Sequence, residues 1–300
     1  MAFNLTKAQW QGHLAMFAFS GCVSGSFSLG AKAANFISPA ALNTVRFLLA
    51  ALIIGSIATA LGHMKRKNFE APWRFLILGG LFGFYFVMMF EGLKTAAPVS
   101  AAAVFTLMPV MSAGFGYLLL RQITTPRMAL AIVIAGVGSL WVIFRADFSL
   151  FLAFGVGKGE LIYFFGCVSH AIYTPLVAKL NRGENPFVFT FGMMIAGFLV
   201  LSIAGAPQIL ATDWLNLPPI VWIALAYVTI FASAASFVLL QFATLRLPSA
   251  KVMAYSYLTP VWVILWELAW GNGLPQPMVF LGVAAIILAL LVLLRDEERS

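Results

Sequence analysis

Charge is what this sequence is short of. Of its 300 residues only 9% are charged, while 62% are hydrophobic, against roughly 25% charge in soluble domains. That imbalance excludes an ordinary water-soluble domain. Cysteine is scarce too: Cys22 and Cys167 both fall inside apolar runs and make no disulfide framework. Aspartate is absent from every long apolar run, with Asp147, Asp213 and Asp296 all outside. Glu91 and Glu267 stand near the ends of theirs. The chain has no His-Glu-x-x-His, no cysteine pair at metal spacing and no phosphate-cradling glycine loop beside a lysine, so metal-dependent hydrolysis and nucleotide-driven pumping lack their signatures. No catalytic residue, metal or cofactor is expected.

What is present is length without polarity. Ten runs, 12–31, 39–61, 73–93, 98–120, 127–144, 159–178, 187–205, 219–240, 249–270 and 277–294, are nearly uncharged, and about 20 such residues suffice for a helix to cross about 30 Å of hydrocarbon. Barrel strands would alternate apolar with polar, and these runs do not. The expected fold is therefore an all-α integral membrane protein of ten transmembrane helices. The first run lacks a strong basic flank and a convincing small-residue cleavage site, so it reads as a helix rather than a signal peptide.

The net charge of +8 informs through its distribution. With the amino terminus inside, thirteen Lys and Arg fall on the cytoplasmic side, among them Lys65, Arg66, Lys67, Arg74 and Arg121; Lys32, Lys94, Arg145 and Lys158 fall outside. Arg46, about seven positions inside its run, belongs to neither side. The positive-inside rule then puts both termini in the cytoplasm.

The chain also repeats itself. Gly-Cys-Val-Ser occurs at 21–24 and 166–169, Glu91 to Pro98 is echoed by Gln241 to Pro248, and Leu107-x-Pro109-Val110 by Leu258-x-Pro260-Val261. Two halves, 1–150 and 151–300, each hold five runs. An odd number reverses the second half, giving two inverted five-helix repeats about an axis in the membrane plane. In such architectures the substrate sits between the repeats near the midplane, reached by alternating access. Small residues at Gly21-x3-Gly25 and Gly79-x3-Gly83 mark faces where helices approach closely. Pro109 and Pro260 are expected as equivalent bends, gates or hinges, freeing the carbonyls of Phe105 and Ser256.

Candidate pathway residues are the polar groups at depth: Ser24, Asn43, Arg46, Tyr85, His170, Tyr255 and Tyr257. A buried arginine costs about 2.5–3.5 kcal/mol on insertion scales, so Arg46 should face protein or a wet cavity. Two readings stay open: it attracts an anionic group such as a carboxylate, or it snorkels or pairs with Glu91. His170 could titrate on the path or be a bonded neutral core histidine. Tyr255 and Tyr257 lie about 200° apart on a helix, so one of them should face the cavity. Trp10, Trp73, Trp141, Trp214, Trp266 and Trp270 cluster near run ends as interface anchors.

Pro39-x6-Arg46-Phe47-x2-Ala50, Ala97-x-Val99-x-Ala101 through Pro109, and Leu247-Pro248-Ser249-Ala250-Lys251 through Pro260-Val261 resemble the drug/metabolite transporter superfamily, in particular its EamA-type ten-helix members and, among these, bacterial amino acid exporters of the YddG type. The resemblance implies export of aromatic or other neutral amino acids and related metabolites across the bacterial inner membrane. It also implies a cavity formed by helices 1 to 4 and 6 to 9, with helices 5 and 10 peripheral. Where the family commonly has a glutamate, Arg121 stands. The expected partners are a small-molecule substrate and the bilayer, not nucleic acid, for a monomer or weak homodimer. With few central carboxylates, facilitated or weakly proton-coupled export is expected. Carriage of a nucleobase, sugar phosphate or organic cation is the alternative, and an integral membrane enzyme or a channel the reading from another class.

Overall fold

Proline decides where many of the helices begin. It lacks an N–H, which a first helical turn leaves unpaired in any case, and its φ already suits a helix. In the computed structural model, α2 (Pro39–Ala60), α5 (Pro126–Ile143) and α7 (Pro186–Ala204) each start on proline, as do α4 (Pro98–Leu120) and α8 (Pro219–Thr244). The first helix, α1 (Lys7–Ala33), starts on a capping box: Thr6 Oγ1 accepts from Gln9 N at 3.2 Å, and Gln9 Oε1 from Thr6 N at 2.9 Å. The others are α3 (Trp73–Gly92), α6 (Lys158–Leu180), α9 (Lys251–Ala269) and α10 (Val279–Leu294).

The structure describes residues 6–123, 125–144, 146–149 and 156–294. The expected boundary between halves at 150/151, and the expected positions of Arg145, Arg295, Asp296 and Arg299, lie outside them. Among the described residues there is no strand, and α1 to α9 are each long and apolar enough to cross a membrane. The apolar helix α10 is shorter than the rest.

Among the described residues three helices are interrupted. α4 breaks after Phe105 and resumes at Met108, with Pro109 in its new first turn. α9 tightens into a 3-10 turn at Tyr255–Leu258 and resumes at Thr259, with Pro260 likewise placed. The expected release of the Ser256 carbonyl does not occur, because the tightened turn brings the Thr259 N–H to it. α8 carries a π-helical stretch at Ile230–Ala235, with neither proline nor glycine to announce it. At the end of α4, Arg121 takes a left-handed φ of 58° and closes the helix by donating its N–H to Tyr117 O at 2.9 Å.

Helices pack in a pattern of exchanged pairs: α3 lies along α6 and α1 along α8, while α2 faces α7 and α5 faces α10. α3 also approaches α7 closely, where a Cβ at Gly79 would stand 2.5 Å from Gly197 N. Gly25 and Gly83 also abut neighbours, Tyr227 and Leu201, but Gly21 faces open space. The outer surface is apolar: Leu130, Val133 and Val137 of α5 and Leu281 and Leu288 of α10 are exposed, a face suited to hydrocarbon and costly in water.

Candidate functional site

Helices α1, α3, α4, α6 and α8 meet around a small closed cavity of about 10 Å³, room for about one water. Its wall is aromatic: Phe19, Phe82, Tyr85, Phe86, Phe105 and Phe237, with Val23, Ser26, His170 and Ala232 between them. Phe82 is the hub, stacked 4.3 Å from Tyr173 and lying 4.4 Å from Phe237, 4.7 Å from His170 and 5.0 Å from Phe86, centroid to centroid. Such ring pairs add about 0.5–1.5 kcal/mol each beyond their buried area. No charged side chain is in the wall.

His170 is 1% exposed, 4.6 Å from the Tyr85 ring, and neither ring nitrogen has a partner. Buried polar atoms are nearly always bonded. Unpartnered nitrogens facing a cavity are groups that a ligand could satisfy. Tyr85 joins the wall with its hydroxyl 3.0 Å from that of Tyr163. His170 and Tyr85 were both singled out from sequence, and the fold brings them together.

Ser24 is not in this wall. Its hydroxyl donates to Gly21 O of its own helix at 2.8 Å, and Ser26, two residues on, takes the place at the cavity. Neither Tyr255 nor Tyr257 lines it either, contrary to the expectation that one would. Tyr255 OH lies 3.1 Å from His13 Nδ1, in a seam between α1 and α9. Tyr257 is fully buried with an unpartnered hydroxyl. The 3-10 turn, rather than α-helical spacing, orients this pair. Of the Gly-Cys-Val-Ser copies, Val23 touches the cavity, Cys22 is half-buried and Cys167 fully buried.

Arg46 is fully buried directly behind the wall. Its Nη2 donates to Ala232 O at 2.7 Å, Nε to Ser233 Oγ at 2.6 Å and Nη1 to Asn43 Oδ1 at 3.3 Å, and its guanidinium carbon lies 3.6 Å from the Phe86 centroid. Asn43 is anchored through Nδ2 to Pro39 O at 2.8 Å and Phe86 O at 3.4 Å. The expected pairing of Arg46 with Glu91 is not seen, because Glu91 takes Lys94 three residues along its own chain, at 2.7 Å. Two residues of the π stretch, which sequence gave no reason to select, hold the arginine instead.

Sequence reading also passed over two buried carboxylates. Glu160, inside the sixth run, accepts from Ser100 Oγ at 2.8 Å. Glu184, in the α6–α7 connection, pairs with Arg74 at 2.7 Å. Gln241 donates to Tyr173 OH at 2.9 Å, whereas Glu91 accepts from Lys94.

The EamA-like transporter family model matches residues 10–144 and again residues 157–295. The chain belongs to the EamA-like transporter family. A curated relative, described as uncharacterized transporter YyaM of Bacillus subtilis (strain 168), is 26% identical over 284 residues, 94% of this chain and 92% of its own. A solved structure, described only as a crystal structure of a protein, matches with a TM-score of 0.71 at 18% identity, covering 96% of this chain and 97% of that one; that likeness concerns the fold alone. This EamA-like chain is therefore a multi-pass membrane transporter, and its family and its relative point away from an enzyme.

Proposed function

We propose that the protein exports aromatic and other neutral amino acids and related small metabolites across the bacterial inner membrane. It works by alternating access between two inverted five-helix halves, 1–150 and 151–300, with both termini cytoplasmic. The observation that carries this reading is the uncharged aromatic cavity with the unpartnered nitrogens of His170 in its wall. Such a wall suits a ligand with a planar apolar body and a few polar handles. It offers no carboxylate to an organic cation and no exposed cation to a sugar phosphate.

Three observations support the two-half architecture: the double match of the family model, the exchanged packing of α3 with α6 and α1 with α8, and the paired interruptions of α4 and α9 at Pro109 and Pro260. Broken helices at the site are a recurring transporter device. Pro109 and Pro260 are then the hinges, and the substrate pathway runs past Tyr85, His170 and Phe105. A nucleobase is the second reading, favoured by the same rings and the same unpartnered nitrogens. Export is facilitated or weakly proton-coupled, with the protein a monomer or weak homodimer that takes no nucleic acid.

Competition in proteoliposomes tests the substrate class, using labelled L-phenylalanine against other amino acids, a nucleobase and an organic cation. Displacement by neutral amino acids is the expected result; displacement by the nucleobase alone overturns it. Dependence on an imposed pH gradient that survives His170→Gln excludes His170 as the coupling group.

A further inference from the structure

The cavity volume of about 10 Å³ falls far below the roughly 300–1,000 Å³ of pockets that hold small metabolites. A ligand can enter only as wall rings move. Among the described wall rings Phe86 differs from the others in having a guanidinium against it, that of Arg46 at 3.6 Å. Its neighbours in the wall are Tyr85 at 4.6 Å, Phe82, edge-on at 5.0 Å, and Phe237, stacked at 5.6 Å. A planar ligand that stacks on Phe237 therefore competes with Phe86 for the same position.

Arg46 itself is incomplete. Its three bonds go to a carbonyl, a hydroxyl and a side-chain amide, all neutral, and a fully buried cation without an anionic partner is costly. A carboxylate would provide that partner through charge-assisted, bidentate bonds roughly twice as strong as neutral ones. Two wall residues touch Arg46 from the cavity side: Ala232, whose carbonyl it holds, and Phe86, whose ring covers its guanidinium.

We propose that Phe86 is a specificity-determining shutter: the ring of an entering ligand displaces it, and only then does the ligand's carboxylate reach Arg46. The inference rests on the amino acid reading above and narrows it to carboxylates that also carry a planar apolar group. A carboxylate without such a group cannot move the shutter. A ring without a carboxylate moves it and leaves Arg46 unpaired.

The test is equilibrium binding to the full chain purified in detergent, with L-phenylalanine, 2-phenylethylamine and L-alanine as probes. Wild type should bind L-phenylalanine about tenfold or more tighter than either other probe, as expected for a lost charged bond or a lost ring contact. Phe86→Ala should raise L-alanine affinity about tenfold, and adding Arg46→Lys should abolish that gain, because lysine lacks the bidentate fork. Phe86→Leu provides the same comparison with less loss of packing. If both Phe86 variants keep the wild-type ratio of L-phenylalanine to L-alanine affinity, or if the gain persists with Arg46→Lys, the shutter is wrong while the amino acid reading stands. If wild type binds none of the three probes, both fall.

Discussion

Arg74 Nη2 lies 2.7 Å from Glu184 Oε1, joining the first turn of α3 to the connection between α6 and α7, with each side chain less than 5% exposed. The arginine also donates Nη1 to Leu180 O at 2.6 Å and Nη2 to Glu70 O at 3.1 Å. Leu180 is the last residue of α6, where carbonyls lack helical partners and the helix dipole favours a cation. One side chain thus closes a helix end, pairs a carboxylate and fixes the approach to α3.

Removing one member of this pair leaves the other buried and unpaired. Glu184→Ala or Arg74→Ala should each cost about 3–5 kcal/mol. The double variant should cost less than the two single losses added together. Thermal unfolding in detergent gives the comparison; strict additivity of the two losses would show that the pair is not coupled.

Acid should loosen the same contact. Burial pushes the Glu184 carboxyl up, but the bonds from Arg74 and from the Arg182 N–H outweigh it, and its pKa lies below the usual glutamate value of 4.5. The folded state therefore holds the proton less tightly than the unfolded chain. The stabilisation is fully present above the ordinary glutamate range and is lost as pH falls through the depressed folded value. Melting temperature should drop more steeply between pH 6 and pH 3 in wild type than in Glu184→Gln, which has no proton to take up there.

Sequence made the helices legible because hydropathy records the thickness of the solvent. It placed the interruptions of α4 and α9 because Pro109 and Pro260 mark them. It underestimated the start of α1, where Lys7 to Gln11 are too polar to count toward a span yet are held helical by the capping box of Thr6 and Gln9. The π stretch of α8 was invisible: nothing in Ile-Phe-Ala-Ser-Ala-Ala breaks a helix, and the partner of its Ala232 carbonyl is Arg46, far away in the chain. Of the site, Tyr85, His170 and Arg46 stood out because polar groups at depth are rare. Phe82, Phe86 and Phe237 did not, since a phenylalanine facing lipid and one lining a cavity read alike until helix packing distinguishes them. The Arg74–Glu184 pair was hidden for a related reason: Arg74 counted only as a charge on the cytoplasmic side, and nothing in the sequence ties it to a glutamate 110 residues on.

Glycines of the same motif type should behave differently on substitution. Gly79→Ala places a methyl 2.5 Å from Gly197 N and 2.6 Å from Met193 O, both backbone atoms that cannot step aside. A loss of about 1–3 kcal/mol is expected from the forced separation of α3 and α7. Gly21→Ala meets nothing within 4 Å and should stay within about 1 kcal/mol of wild type, with helix preference favouring alanine. Unfolding curves for the two variants side by side would reveal either small-residue packing at Gly79 or, if they coincide, its absence.

His170→Phe separates a structural from a functional histidine. Its ring is already packed among Phe82, Tyr85, Phe105 and Tyr173, so a phenyl group fits the surroundings. Both nitrogens are buried and unpartnered, and leaving polar atoms unsatisfied costs about 1–3 kcal/mol each. The variant should therefore melt at or above the wild-type temperature. If the nitrogens serve the ligand, transport of L-phenylalanine in proteoliposomes should nonetheless fall about tenfold, the loss of one buried hydrogen bond. A variant that is both stable and fully active would remove His170 from the pathway and leave the cavity's recognition to its rings and to Arg46.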